Sequence, residues 1–544
     1  MRDGDSHLQY ELGQHLRQEW LAGRMSRREF LRSATVLGLS AATIAGLVGG
    51  TGGERARAQA PAKKGGTIQV ALVPPTAALD PVTMYDAGAI AVVQQVAEYL
   101  VWAENDLRLR PVLATRWEPD SDGKTWTFTL RDGVKFSTGQ SLTADDVVAT
   151  FDRLTDPLTK SAARSNFKGI LSKGNIEKLG STRVAFHLDR AFVDFPYLVS
   201  STNYNAVVQP QNYAGDFEKH PVGTGPFSLA AYTPKEAASF KRNSGYWQNG
   251  LPYLDGVEFR FFAETQPQVL ALQAGAVDMM VATPFQGSQA LFGDPNVNVL
   301  LTRSSKHRAV HMRVDQTPFT DKRIRQAIAL CLDRPKIVQG LFQGKADVGN
   351  DEMFAPLFPG APSIPQRVQN YEKAKQLLRE AGVSGELKIT LTYEEYQEVP
   401  QYAVFLQEMM KPAGIAVALE QMTQAAYYGS GSTQPWLQVP MGVTDWASRT
   451  IPSQFILPAY TCSGVWNSAH WCSEEYDRLA NQYDATLDQS SRRSIAGKLA
   501  GLQQDATPAI IAYWIRAPRA VRKRVQGVEA NGSDFLDLTK ASVV

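Results

Sequence analysis

Apolar and polar residues alternate in short runs along the chain, and these runs predict strands. Thr125–Leu130 alternates strictly, with its tryptophan, phenylalanine and leucine on one face. An Asp-Gly turn at 131–133 is expected to lead it into a hairpin partner at 134–136. Thr67–Leu72 alternates in the same way and is predicted to be a strand that enters a sheet at its edge.

Helical spacing occupies the stretches between these strands. The run 143–146 has the form of a capping box and precedes apolar residues spaced for a helix. A second amphipathic helix is predicted over 321–332, and a third is predicted to begin at Asn370 and end at Gly382. Because strands and helices interleave without a repeat or a low-complexity linker, we predict two α/β lobes that exchange chain segments.

Length and charge narrow the class of protein. A chain of 544 residues is too long for one core. The net charge of +2, without a long basic stripe, excludes a typical nucleic-acid binder. The basic run 516–524 is therefore interpreted as a solvated strand edge. Three cysteines leave room for one disulfide bond.

The N-terminal region carries an export pattern. Arg27 and Arg28 precede the uncharged, weakly apolar stretch 33–50, an order that resembles a twin-arginine signal. Cleavage is expected after Ala58, so that residues 1–58 are removed as a signal peptide with an N-terminal extension. The alternative is an uncleaved signal that anchors the protein in the membrane. Either outcome puts the working domain outside the cytoplasm, in the periplasm.

Five segments occur in the order typical of one known family. They are 135–148, 221–227, 255–278, 318–337 and 371–382. Together they resemble family 5 of the extracellular solute-binding proteins, which serve ABC importers of peptides, nickel and opines. The resemblance implies a two-lobed periplasmic-binding-protein (Venus-flytrap) fold of the large dipeptide/oligopeptide type, with no cofactor. It also implies that the protein is not an enzyme.

The resemblance also implies how the chain is divided and what it binds. Lobe I would hold residues 59–283, with the extra subdomain of the family, and 508–544; lobe II would hold 284–507. The expected ligand is a peptide or another small polar molecule bound between the lobes. The expected partners are the membrane subunits and ATPases of an ABC permease, and we expect a monomer.

Candidate ligand contacts follow from the same resemblance. The loop 441–450 matches the segment in which dipeptide-binding members hold the ligand's amino group, so Asp445 is the candidate for that role. Trp446 would wall the ligand, and Arg449 would receive a carboxylate. Alternatively, Asp445 and Arg449 pair only with each other. The further candidates are Tyr85, Tyr393, Glu395, Tyr396, Trp466 and Asn467.

The segment 391–397 lacks the arginine expected for a dipeptide carboxylate, which keeps an opine, amine, oligosaccharide or nickel chelate open as the ligand. Relatives of the dipeptide type carry cysteines near Cys462 and Cys472, which are therefore the candidate disulfide in an oxidising compartment. Cys331 lies on the apolar face of its helix and is expected to be a buried free thiol.

An enzyme and a receptor that serves a sensor are the two alternative classes of protein. The motifs of a serine-hydrolase elbow, a phosphate loop and a zinc-protease helix do not occur in the sequence. His307 and His311 are four residues apart, but they lie in the alternating stretch 306–314, which predicts a strand without metal geometry. Cys462, His470 and Cys472 lack a fourth zinc ligand nearby.

A receptor that serves a sensor would have the same fold as a transport receptor.

Overall fold

The computed structural model describes residues 63–76, 78–429 and 434–544. The predicted export signal and its cleavage site lie outside these residues. Within the described part of the chain, the structure contains no helix that is both long and apolar enough to span a membrane.

Strands and helices alternate through the described residues. The strands are β1 (Thr67–Leu72), β2 (Val101–Ala103), β3 (Leu109–Pro111), β4 (Ala114–Pro119), β5 (Thr125–Leu130), β6 (Ile176–Lys178), β7 (Arg183–His187), β8 (Phe227–Thr233), β9 (Ala237–Arg242), β10 (Gly256–Phe261), β11 (Met279–Met280), β12 (Val297–Met312), β13 (Ala346–Val348), β14 (Leu387–Glu394), β15 (Ile415–Met422), β16 (Met441–Trp446), β17 (Ala509–Arg522), β18 (Val525–Gln526) and β19 (Ser542–Val543).

The α-helices lie between these strands and cover their faces. They are α1 (Ala87–Val96), α2 (Ala144–Thr155), α3 (Arg164–Phe167), α4 (Phe195–Leu198), α5 (Thr265–Ala274), α6 (Lys322–Leu330), α7 (Arg334–Phe342), α8 (Tyr371–Glu380), α9 (Val399–Met410), α10 (Gln424–Tyr428), α11 (Pro435–Gln438), α12 (Ser453–Tyr460), α13 (Glu474–Ala485) and α14 (Gln489–Ala506). Short 3-10 turns occur at Gln289–Gly293 and Lys411–Ala413.

One mixed sheet of 11 strands runs through the molecule in the order β15-β14-β16-β12-β17-β11-β1-β10-β9-β8, with β13 also on β17. β1 pairs in parallel with both β10 and β11, so it is an internal strand. The prediction that Thr67–Leu72 enters at an edge is therefore wrong. Alternation reports which faces of a strand are buried, whereas the number of neighbouring strands depends on distant parts of the chain.

The basic run 516–524 is also placed differently from its prediction as a solvated edge. β17 lies in the middle of the sheet, between β12 and β11. Arg519 is almost fully buried and donates hydrogen bonds to the carbonyl oxygens of Val281, Glu529 and Phe535 at 3.1, 2.7 and 3.1 Å. A buried guanidinium is tolerated here because several backbone acceptors converge on it.

A smaller antiparallel sheet, β4-β5-β7-β6, lies in the first part of the chain and shares its apolar cluster with strands of the large sheet. Every second residue of β5 is buried, which confirms the predicted alternation. The predicted hairpin to 134–136 is wrong, because β5 pairs with β4 and β7 and Lys135 makes only an isolated bridge with Ser141. The capping box of α2 is confirmed by the 2.8 Å hydrogen bond from the Thr143 backbone N–H to Asp146.

The apolar core is divided into separate clusters. One large cluster draws its residues mainly from 68–281 and 521–541, and two others draw theirs mainly from 309–515. Some side chains pack in the opposite group: Leu107 belongs to a cluster drawn mainly from 309–515, and Ile451 belongs to the cluster drawn mainly from 68–281 and 521–541. β17 contributes side chains to both groups of clusters, and it pairs with β12 along most of its length.

Candidate ligand-binding cleft

A cavity of about 310 Å³ lies between the two groups of core clusters. Its walls come from segments within 72–87 and 265–286 on one side and from 306–308, 396–398 and 445–447 on the other. Residues 515–518 of β17 form its floor. This volume is at the lower end of the range of roughly 300–1,000 Å³ that is usual for small-molecule sites.

The sheet itself opens at this floor. In the described part of the chain, β17 pairs on one side with β13 up to Ile515 and then with β11 only at Val521. Pro518 lies in the gap, where a residue without an N–H loses no second ladder bond. On the other side, Thr302 pairs with Ala517 and Lys306 with Ile515, so that three residues of β12 bulge opposite Arg516. The strands that connect the two halves are thus locally irregular at the cavity.

The main polar feature of the cavity is a cluster of one guanidinium and two carboxylates. Arg308 of β12 is paired in register with Asp445 of β16, and its Nη1 donates a hydrogen bond to Asp445 Oδ1. Its Nε lies 2.9 Å from Glu398 Oε1, and its Nη2 lies 3.3 Å from Glu398 Oε2. The guanidinium carbon lies 5.6 Å from the centre of the Tyr396 ring.

Burial and charge act in opposite directions in this cluster. The side chains of Arg308 and Glu398 are 2% and 4% exposed, whereas that of Asp445 is 24% exposed toward the cavity. Burial alone would lower the pKa of Arg308, but the carboxylates of Glu398 and Asp445 outweigh it and raise that pKa. With two carboxylates and one guanidinium, the cluster carries a net charge of −1 and favours a cationic ligand group.

The backbone of Asp445 is connected through Tyr428 to a third carboxylate, that of Glu394. The Asp445 backbone N–H donates to the Tyr428 hydroxyl at 3.0 Å, and that hydroxyl donates to Glu394 Oε1 at 2.9 Å. Burial raises the pKa of Glu394. Among the described residues, Asp445 Oδ2 has no hydrogen-bond partner, so this oxygen is available to a ligand.

Three of the residues predicted for the site line this cavity: Asp445, Trp446 and Tyr396. The alternative in which Asp445 and Arg449 pair only with each other is wrong, because Asp445 pairs with Arg308. Arg449 lies outside the lining, and its guanidinium has no carboxylate within ion-pair distance among the described residues. Its backbone N–H donates to Ser305 Oγ at 2.7 Å, and burial lowers the pKa of its side chain.

Trp446 is mostly a packing residue that presents one edge to the cavity. Its ring is stacked on His307, with centroids 6.2 Å apart, and meets Trp466 edge to face at 6.0 Å. Trp466 is 39% exposed and lies on the loop closed by a disulfide bond between Cys462 and Cys472. This loop therefore supports the wall that Trp446 forms.

Asn467 contributes to the same loop and not to the cavity lining. Its amide nitrogen donates to the carbonyl oxygens of Thr461 and Trp471 at 3.0 and 2.7 Å, and its amide oxygen accepts from the Trp471 backbone N–H at 3.2 Å. These bonds use its amide within the loop. Asn467 thus fixes the loop conformation.

The other candidates lie outside the cavity lining. Tyr393 is buried in one of the clusters drawn mainly from 309–515, Glu395 is exposed on the same segment, and Tyr85 is largely exposed. Cys331, the expected free thiol, is buried and unpaired at the end of α6.

The sequence reasoning missed Arg308 and Glu398. The predicted strand at 306–314 is confirmed up to Met312, the last residue of β12, but the sequence pattern draws candidate residues from it only at the histidines. His307 and His311 are buried, and burial lowers the pKa of each to about 3. No group of His, Cys, Asp and Glu that could hold a metal occurs in the described residues. The charged residues that alternate with His307 were the available signal, because they face the opposite side of the strand.

Comparison with known proteins places the chain among solute-binding proteins. Residues 108–468 match the family model "Bacterial extracellular solute-binding proteins, family 5 Middle". The glutathione-binding protein GsiB of Escherichia coli (strain K12) is 26% identical over 468 residues, covering 84% of this chain and 89% of that protein.

Solved structures show the same fold. The ABC transporter substrate-binding protein CtaP of Listeria monocytogenes superposes with a TM-score of 0.79 at 22% identity, covering 88% of this chain and 100% of CtaP. The oligopeptide-binding protein AppA of Bacillus subtilis, in complex with a nonapeptide, gives a TM-score of 0.68 at 21% identity, covering 89% and 100%. The predicted two-lobed α/β fold is confirmed, and the chain belongs to family 5 of the bacterial extracellular solute-binding proteins.

Proposed function

We propose that the protein is a periplasmic receptor that binds a short peptide-like ligand with a free amino group between its lobes and delivers it to an ABC-type import permease. In this proposal, lobe I comprises residues 59–283 and 508–544 and lobe II comprises 284–507. Closure of the lobes around the ligand would create the surface that the permease recognises.

The observation that carries this proposal is the state of Asp445. Its carboxylate reaches the cavity with one oxygen held by Arg308 and the other without a partner among the described residues. The cluster to which it belongs has one negative charge in excess. A ligand ammonium group at Asp445 would neutralise that excess and gain a charge-assisted hydrogen bond in a partly dehydrated site.

The ligands named for the relatives support a peptide-like molecule. GsiB is named for glutathione, and AppA of Bacillus subtilis was solved with a nonapeptide. A cavity of about 310 Å³ is more suitable for a ligand of glutathione size than for a nonapeptide. In a closed form, Trp446 and Tyr396 would wall the ligand, and Arg449 would be brought toward it from outside the present lining.

An opine or another non-peptide amine is the second candidate. The AgaA protein of A. tumefaciens R10 was solved with agropinic acid and gives a TM-score of 0.68. The absence of an arginine from 391–397 favours this candidate, since a dipeptide carboxylate would have no partner there. An opine that carries an amino group would share the contact with Asp445 and differ from a peptide in the rest of the molecule.

Export by the twin-arginine route, cleavage after Ala58 and a monomeric state are part of the same proposal. The charge pattern at 27–50 supports the export route. A ligand receptor of an importer has to work on the side of the membrane from which the solute arrives, which agrees with a periplasmic location.

Thermal-shift and calorimetric titration of the mature chain, residues 59–544, would test the proposed ligand class. The probes are glutathione, dialanine, trialanine and an opine, each compared with its N-acetylated form. We expect at least one free-amine probe to raise the melting temperature by mass action and its acetylated form not to do so. Equal binding of both forms, or no binding by any probe, would contradict the proposal.

A further inference from the structure

A second ion pair faces the same cavity as Asp445. Lys306 of β12 lines the cavity, and its Nζ lies 2.8 Å from Asp534 Oδ2. Asp534 belongs to the C-terminal segment. The next two residues, Phe535 and Leu536, pack in the large cluster drawn mainly from 68–281 and 521–541. The contact therefore connects the long central strand to the first half of the molecule across the cavity.

This ion pair is the most exchangeable of the basic contacts that line the cavity. Arg308 is almost fully buried between two carboxylates, and Arg516 contacts Asp347 through two nitrogens, at 2.7 and 3.2 Å. Lys306 has one contact, and the side chains of Lys306 and Asp534 are 28% and 23% exposed. A single, partly exposed ion pair contributes little to stability, so an incoming carboxylate can replace it at little cost.

The spacing of the two pairs sets a length for the ligand. Lys306 is two residues before Arg308 on β12, and Arg308 is directly opposite Asp445. Alternate residues of a strand share a face and are about 7 Å apart. An extended peptide residue spans about 3.3–3.6 Å, so about two residues cover this spacing, and the long, flexible side chain of Lys306 allows a third.

We propose that Lys306 receives the ligand's carboxylate in exchange for Asp534, so that the cavity takes a short zwitterion of two to three residues. This inference rests on the proposed function, because it takes the amino group to lie at Asp445. Lys306 then supplies the cation that is absent from 391–397. The ligand carboxylate takes the place of Asp534 at Lys306, and the ligand amino group contacts Asp445.

Calorimetric titration of the mature protein with matched probes would test this exchange. The probes are glutathione, dialanine and trialanine, each as the free acid and as the C-terminal amide. The variants are Lys306→Gln, Lys306→Arg and Asp534→Asn. Lys322→Gln is the matched control, because Lys322 forms an ion pair of the same 2.8 Å length with Asp505 and lies outside the cavity lining.

We expect Lys306→Gln to weaken binding of a free-acid probe about tenfold or more and to leave its amide unchanged. Lys306→Arg should keep most of the wild-type preference for the free acid over the amide. Asp534→Asn should tighten binding of the acid a few-fold, because the competing carboxylate is removed, and the control should change neither probe.

The possible failures are distinguishable. If Lys306→Gln binds the acid as wild type does, or weakens acid and amide equally, Lys306 does not receive the carboxylate, and the proposed function is unaffected. A loss of acid binding in Asp534→Asn would contradict the exchange. If wild type binds none of the free-amine probes, the proposed function fails and this inference fails with it.

Discussion

Arg308 and Asp445 occupy directly paired positions on two antiparallel strands, and their side chains form an ion pair at the wall of the cleft. The pair is asymmetric, because Arg308 is buried against a second carboxylate, whereas one oxygen of Asp445 has no partner among the described residues. Arg308 thus holds Asp445 in place without using its full hydrogen-bonding capacity. In the proposed function, Arg308 is therefore a positioning residue for the Asp445 carboxylate.

Asp445→Asn should weaken binding of a free-amine probe about thirtyfold or more, because it removes a charge-assisted contact in a partly dehydrated cleft. The free energy of unfolding without ligand should change by no more than about 1 kcal/mol, since Arg308 keeps Glu398 as a partner. Calorimetric titration and denaturant unfolding measure the two effects. Unchanged affinity would exclude Asp445 from the site.

Glu398→Gln is the matched comparison. It removes a carboxylate from the same cluster at a position that is almost fully buried. Loss of one partner of a buried pair costs about 3–5 kcal/mol, so this variant should be clearly less stable than Asp445→Asn. Equal destabilisation by the two variants would mean that the cluster does not have the asymmetry described above.

The disulfide bond between Cys462 and Cys472 should be present in the mature protein while Cys331 remains a thiol. Mass spectrometry of non-reduced peptides measures this directly. Replacing both bridged cysteines by Ser should lower the free energy of unfolding by about 2–3 kcal/mol, because the unfolded chain regains the freedom of a short closed loop. Cys331→Ser is the control for loss of a sulfur. Free thiols at both loop positions would contradict the assignment.

Glu98 should make stability depend on pH. It is buried, and its carboxylate accepts hydrogen bonds from Thr224, Tyr246 and Trp247 at 2.9, 2.7 and 2.8 Å. Burial raises the pKa of Glu98 to about 7, with a further contribution from the Asp537 carboxylate, and the three hydrogen bonds oppose the shift only in part.

The folded state therefore holds the Glu98 proton at pH values where the unfolded chain has lost it. The resulting stability is fully present below about pH 4.5 and is lost as the pH rises to about 7, by about 3 kcal/mol in total. Glu98→Gln has no such titration. The free energy of unfolding of both proteins should be measured at about pH 5 and about pH 8. Between these values, wild type should lose stability relative to the variant. Parallel stability curves would contradict the prediction.

Replacing Arg27 and Arg28 by Lys should leave unprocessed precursor in the cytoplasm, because the receptor of the twin-arginine route recognises the arginine pair. Fractionation of cells followed by immunoblotting measures this. Replacement of the nearby Arg32 is the matched control for charge. Normal export of the double variant would assign the signal to another route.

Sequence reasoning was most successful where structure is set locally. The alternation of β5 and the capping box of α2 depend on residues within a few positions of each other, and both were predicted correctly. The internal positions of β1 and β17 depend on neighbours far along the chain, and both were assigned to an edge.

The same distinction applies to the site. Asp445 was found through its resemblance to a family loop. Arg308 was missed because its partners, Glu398 and Asp445, are 90 and 137 residues away in the sequence. The alternation with His307 puts Arg308 on the other face of the strand, but it does not reveal the two distant carboxylates that Arg308 contacts there.

The position of β17 has a consequence for the order in which the protein can be completed during synthesis. β17 is the strand that joins the two halves of the large sheet, between β12 and β11, and it is made of Ala509–Arg522, close to the end of the chain. A nascent chain that stops before residue 509 holds two sheet fragments without the strand that connects them. The floor of the cleft can therefore form only after all the other strands of this sheet have been synthesised.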